Sequence, residues 1–183
     1  MKTFTPPSPD RAFVFSPLSK NVETACSKAR KYKLAAKAVV IMLKTHAFRM
    51  QWLEVRLSRA TAFPQEIVKA ILPAFTQLFR PEEDYRATGI VLTKLEADTM
   101  VQLDLFGEVV RAEKRSRVYH AVDHMREHYG KHTVFLGSSL LAQKFAQHLG
   151  ARGDEPQRRR QLFKGETKRQ RLGMPMLTGK LID

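Results

Sequence analysis

Only one of the 183 residues is cysteine, so the chain cannot form an internal disulfide, and its thiol usage suits a reducing compartment. That residue, Cys26, falls in a helical apolar pattern and reads as packing rather than as a reactive group. No apolar run approaches the roughly 20 residues of a membrane-spanning helix, and the N-terminus lacks the apolar core of a secretory signal. Acid is also scarce: 18 Asp+Glu stand against 32 Lys+Arg, a formal charge of +14. The surplus runs through the chain, with 16 basic and 10 acidic residues up to Phe106 and 16 and 8 after it. A merely well-solvated surface sits nearer balance. Such an excess points to a polyanionic partner, and to nucleic acid ahead of an anionic membrane, because no lipid anchor or strong basic amphipathic helix stands out. Disorder throughout is excluded by 43% hydrophobic residues. The length fits one ordinary domain, or a small one with a long extension.

What is present begins with prolines. Residues 1–15 form an extended lead-in with one edge strand around Lys2 to Thr5. Ser16 is read as the N-cap and Pro17 as the first residue of a helix reaching Tyr32, with Leu18, Val22 and Cys26 on its apolar side. Lys28, Arg30 and Lys31 crowd its C-terminal end, where the helix dipole favours cations. "AAKAVVIMLKT" and "FRMQWLEVRLS" alternate and are rich in β-branched residues, so they read as an antiparallel hairpin. A second helix runs through "FPQEIVKAILPAFTQLF" with Ile67, Ile71, Ala74, Phe75 and Leu78 as its stripe, and Pro73 is expected to kink or divide it. "RPEED" is a charged turn and "YRATGIVLTKLEA" a further strand. The fold class is therefore α+β, a four-stranded, mostly antiparallel sheet with two helices on one face, followed by a helical, basic C-terminal extension.

In that extension Val118, Val122, Met125 and Tyr129 mark an amphipathic helix from about Glu108, closed by Gly130. "HTVFLGSS" reads as a short strand and "SLLAQKFAQHLG" as another helix. Residues 151–183 form a basic, aperiodic tail suited to flexible contact with DNA or a protein. His120, His124, His128 and His132 recur every four residues, a spacing that can chelate a metal but that borders Arg126 and Glu127 like a solvated or pH-sensitive face. Asp154-Glu155 sits in an Arg-rich stretch and reads as a turn, so no metal site and no catalytic residue is assigned.

Gln102-Leu103-Asp104-Leu105-Phe106 leaves three large apolar side chains on a loop of this basic chain, a cluster that either folds back onto the core or docks elsewhere. Together with "KTFTPP…LSK", "KLAAKAVVIMLKTHAFR", "LSRATAFPQEI" and "LFRPEEDYRATGIVLTKL", in this order and spacing, it resembles the C-terminal part of bacterial Y-family DNA polymerases. The resemblance implies a little-finger DNA-binding domain over 16–100, a sliding-clamp-binding peptide at 101–107 and an extension at 108–150. It makes Gln102, Leu103, Asp104, Leu105 and Phe106 the clamp-binding residues. The implied partners are the primer–template duplex, the bacterial sliding clamp and the catalytic core of the same polymerase, with no membrane and no small-molecule substrate. The implied setting is lesion bypass, DNA repair and the SOS response in a bacterial cytoplasm, at the nucleoid. Mg²⁺ and the palm carboxylates that hold it belong to a part expected to precede this chain, so the chain is expected to be non-catalytic and without a cofactor of its own.

A little finger lays its open sheet face along the duplex and contacts mostly phosphates. Alternation places Val39, Ile41, Leu43, Leu53, Val55, Leu57, Ile90 and Leu92 on the core face and Lys44, Trp52, Arg56 and Thr93 on the open one. The phosphate candidates are Lys2, Lys37, Lys44, Arg49, Arg56 and Arg86; Arg86 matches a family position of that kind. Val40 and Met42 beside Trp52 make an apolar patch that is expected to be covered, and wide exposure of Met42 and Trp52 would count against a cover. The alternative reading is a free-standing, sequence-nonspecific RNA- or DNA-binding protein in which Trp52 and Phe48 stack bases.

Overall fold

Two twelve-residue runs of alternating side chains, β2 (Leu34–Thr45) and β3 (Met50–Thr61), pair antiparallel as a hairpin. The computed structural model describes residues 1–98, 108–130 and 133–144. β1 (Lys2–Ser8) and β4 (Tyr85–Ala97) complete a sheet of spatial order β1-β4-β2-β3, antiparallel throughout. Register puts Ile41 opposite both Leu53 and Ile90, and Val39 opposite Val55 and Leu92, so one face is continuously apolar. α1 (Arg11–Lys31) and α2 (Pro64–Leu78) pack on that face. Val14, Leu18, Val22 and Cys26 from α1 and Ile67, Ile71 and Phe75 from α2 close the core with the strand residues. The expected α+β sheet, its two helices and its core face are all present.

The N-cap of α1 is Asp10, which accepts from the Ala12 N–H at 3.0 Å, and not Ser16. Asp10 is the better cap because its carboxylate meets the helix dipole, whereas Ser16 is buried within the helix. Pro17 lies in the interior, removing one ladder N–H without ending the helix. α2 likewise continues through Pro73, which is exposed and divides nothing.

The extension contains α3 (Glu108–Tyr129), a short 3-10 turn (Gly137–Ser139) and α4 (Leu140–Lys144). Residues 133–136 are not a strand. Val134 and Phe135 are exposed, and the run is tied to α1 by the Leu136 N–H, which donates to the Glu23 carboxylate at 2.9 Å. The anticipated stripe of α3 is also displaced: Val118, Met125 and Tyr129 are exposed, and Tyr119 is buried. The cause lies in what α1 and α2 have left to offer. Their apolar sides already face the sheet, so α3 meets a polar flank, and Arg115, Tyr119 and Asp123, spaced four apart, face inward.

Candidate nucleic-acid interface

The open face of the sheet is a set of cross-strand rows fixed by register. Ala87, Lys44 and Met50 form one row, Gly89, Met42 and Trp52 the next, then Val91, Val40 and Glu54, then Thr93, Ala38 and Arg56. The β2–β3 connection turns back at Phe48, which adopts φ 64°. The Phe48 N–H donates to the Thr45 carbonyl at 3.1 Å, and the His46 N–H ties the turn to Asp84 at 2.7 Å. This geometry leaves the Phe48 ring 64% exposed and beside two cations. Lys44 Nζ lies 4.8 Å and Arg86 Cζ 4.5 Å from its centroid. Cations held on an aromatic ring keep their charge while losing freedom to wander.

The six phosphate candidates do not form one cluster. Lys44, Arg49 and Arg86 gather at the hairpin end because β4 lies beside β2, bringing the start of one strand to the end of the other. Arg56 lies on the same face of the edge strand, opposite Ala38. Lys37 is exposed and pairs with Glu96 at 3.5 Å; Arg49 pairs with Glu83 at 3.5 Å. The Lys37–Glu96 pair is exposed on both sides, worth at most about 1 kcal/mol, and yields to a competing phosphate, whereas the Glu83 side chain is largely buried. Lys2 falls elsewhere. It pairs with Thr88, whose hydroxyl accepts from the Asn21 amide of α1 at 3.2 Å, so Lys2 stands on the helix side of the sheet edge. The clamp-binding residues Gln102, Leu103, Asp104, Leu105 and Phe106 lie outside the described residues, between the end of β4 and the start of α3. So do His132, Asp154, Glu155 and the basic tail.

The expected cover over the apolar patch is not found among the described residues. Trp52 is 64% exposed and Val91 45% exposed. Met42 is only half-buried, and Gly89 explains how it settles. A Cβ at Gly89 would approach Met42 Cε to 3.0 Å and Met1 Cβ to 3.2 Å, so the missing side chain lets both methionines lie on the sheet.

A second constellation went unread in the sequence: the polar seam between α1 and the extension. Glu23 is buried and accepts from Ser139 Oγ at 2.7 Å as well as from the Leu136 N–H. Burial pushes its carboxyl above the ordinary range, and those two hydrogen bonds oppose the rise. Ser16 Oγ accepts from the Ala142 N–H at 2.8 Å, and the Ser19 and Ser138 hydroxyls meet at 2.6 Å. Farther along, Arg30 grips Asp123 through Nε at 2.7 Å and Nη2 at 2.8 Å and donates to the Ala62 carbonyl at 2.8 Å. Tyr119 stacks on Phe63 and lies under the Arg30 guanidinium, and Arg115 bonds Glu66. Four polar residues on one side of α1 were the available signal: Ser16, Ser19, Lys20 and Glu23 are buried opposite its apolar stripe.

Among the described residues no group of three or more His, Cys, Asp or Glu is placed to hold a metal ion. The His124 and His128 rings lie 4.7 Å apart on α3. No helix among the described residues is long and apolar enough to cross a membrane.

The sequence that builds this sheet and its two helices has relatives. The family model described as the impB/mucB/samB family C-terminal domain matches residues 1–105. A curated DNA polymerase IV of Pelotomaculum thermopropionicum is 28% identical over 118 residues, covering 64% of this chain and 29% of that protein. Another, from Acetivibrio thermocellus, is 26% identical over 119 residues, 64% of this chain and 30% of the relative. The chain thus spans less than a third of the length of these relatives. An antiparallel sheet roofed by two helices, matched over more than half its length, belongs to the impB/mucB/samB family: the chain is a Y-family DNA polymerase C-terminal part.

Proposed function

We propose that this chain grips the primer–template duplex for a translesion DNA polymerase and docks that enzyme on the bacterial sliding clamp during lesion bypass. The observation that carries the reading is the cationic end of the open sheet face, where Lys44 and Arg86 are held on Phe48 beside Arg49, in a domain of the polymerase IV kind. Phosphate contact without base readout supplies affinity with no sequence preference. Polymerase chemistry, with its metal-bound carboxylates, belongs in this reading to the rest of the parent enzyme, and the chain contributes tethering and position.

For the clamp, Leu105 and Phe106 fill an apolar pocket, Leu103 packs at its rim and the Gln102 amide sets register. Burying two such side chains yields about 3–6 kcal/mol gross, part of it lost in ordering the loop. Binding to a bacterial sliding clamp is expected to fall at least tenfold in Phe106→Ala; equal binding of the two proteins removes the recruitment reading. Duplex affinity is expected to drop steeply between low and moderate salt. A flat salt response removes the grip.

A further inference from the structure

We propose that Trp52 is a stacking platform for an unpaired base of single-stranded DNA, with Lys44 and Arg86 taking the adjoining phosphate. This rests on the nucleic-acid reading above and goes beyond it, since duplex tracking along phosphates has no use for an exposed indole.

The open face is divided by chemistry. Its hairpin end carries the Phe48-held cations, and Arg56 carries charge at the middle of β3. Between them lie Met50, Trp52, Met42, Val40 and Val91, a stretch without charge whose one polar side-chain group is the Trp52 indole N–H. Met42 settles half-buried beside Gly89, and Trp52, 64% exposed on an edge strand, is the most exposed of these side chains. Glu54, the acid nearest it along β3, is engaged by Lys94 at 3.3 Å. Trp52 sits one open-face row from Lys44, about 7 Å along the strands at 3.3 Å per residue, and one strand across from it. From there the long Lys44 side chain can reach the phosphate of a nucleotide whose base lies on Trp52.

Charge selects the occupant. An aromatic wedge flanked on both sides by cations suits a ligand that alternates apolar faces with negative charge, and a nucleic-acid strand with unstacked bases does so. A duplex interior hides its base faces, and an apolar protein surface would leave the flanking cations facing nothing of opposite sign.

Trp52 is the only tryptophan in the chain, so its emission reports the contact directly. The full chain is titrated with oligo-dT, with a blunt duplex and with the same duplex bearing a single-stranded overhang. Oligo-dT is expected to quench the emission. Trp52→Ala is expected to weaken overhang binding at least fivefold, the lower end of what one base–aromatic stack supplies, with Trp52→Phe recovering most of the loss and blunt-duplex affinity nearly unchanged. Lys44→Ala with Arg86→Ala is expected to weaken both substrates and flatten their salt dependence. Emission unmoved at saturating oligo-dT, or an overhang affinity indifferent to Trp52→Ala, overturns the platform and leaves the patch to a protein neighbour. If duplex binding with its salt dependence persists in that case, the duplex grip still stands. If neither DNA binds at low salt, both readings fall.

Discussion

Replacing Glu23 by alanine tests whether the extension is held to the domain by one buried carboxylate. The substitution removes the acceptor of two donors, the Leu136 N–H and Ser139 Oγ. Ser139 Oγ keeps the Leu136 carbonyl as an acceptor at 2.9 Å, so the Leu136 N–H is the buried donor left without a partner, at a cost of about 1–3 kcal/mol if the segment stays in place. It need not stay. Undocking residues 136–142 returns both donors to water, so the observed loss is limited to the free energy of docking. Hydrogen exchange at the Leu136 and Ala142 amides measures that opening directly. A loss of about 1.4–2.8 kcal/mol appears as exchange faster by a factor of about 10 to 100, while Ile41 and Leu43 in the central strand keep their protection. Glu23→Gln retains an acceptor and is expected to restore slow exchange.

The pH dependence has a definite sign. Burial holds the folded carboxyl above its ordinary 4.5, with Lys20 and Arg126 and the two hydrogen bonds pulling it down. The folded form therefore binds its proton more tightly than the open form, so docking is strongest below about 4.5 and weakens as pH rises through the raised value, then levels off. Glu23→Gln abolishes that slope. Unchanged exchange at both amides in Glu23→Ala would refute the assignment.

Arg30→Lys keeps a charge but loses the two-point grip on Asp123, the bond to the Ala62 carbonyl and the plane over Tyr119. It is expected to cost about 1–3 kcal/mol, read as a lower urea midpoint and faster exchange within α3; a midpoint equal to wild type contradicts it. Cys26 is fully buried, and burial pushes its thiol up to about 12. It is expected to resist iodoacetamide at pH 8 in the native protein and to react once urea unfolds the domain; fast native labelling would show that the helix pair opens there. Ile71→Ala, deleting a fully buried side chain between α2 and the sheet, is expected to lower stability by about 2–5 kcal/mol in a denaturant melt, and a loss below about 1 kcal/mol would mean that the core closes around the gap.

Periodicity alone carried the framework. Val39, Ile41 and Leu43 on β2 and Ile67, Ile71 and Phe75 on α2 recur at spacings that leave one burial pattern each, and burial of apolar area is a local property of such a pattern. The choice of open-face residues followed from the same alternation: Lys44, Trp52 and Arg56 stand where a period of two puts them. The charge surplus and the apolar pentapeptide at 102–106 are likewise plain in one dimension, and the pentapeptide's role stays a proposal from sequence. Helix ends were less legible, because Asp10 and Ser16 are both competent caps and only packing against the sheet and the extension separates them.

What tertiary structure decided was which distant residues meet. No local pattern predicts that β4 lies beside β2, and that adjacency is what brings Arg86 and Lys44 to a single ring. No pattern within α3 prefers the Arg115–Tyr119–Asp123 side over the more apolar Val118–Met125–Tyr129 side. Hydrophobicity has no direction, whereas a guanidinium fork and a buried carboxylate accept only partners at a particular distance and angle. The long-range polar seam and the order of strands in the sheet therefore belong to the folded molecule, while the individual strands and the two helices are already written in the periodicity of the residues.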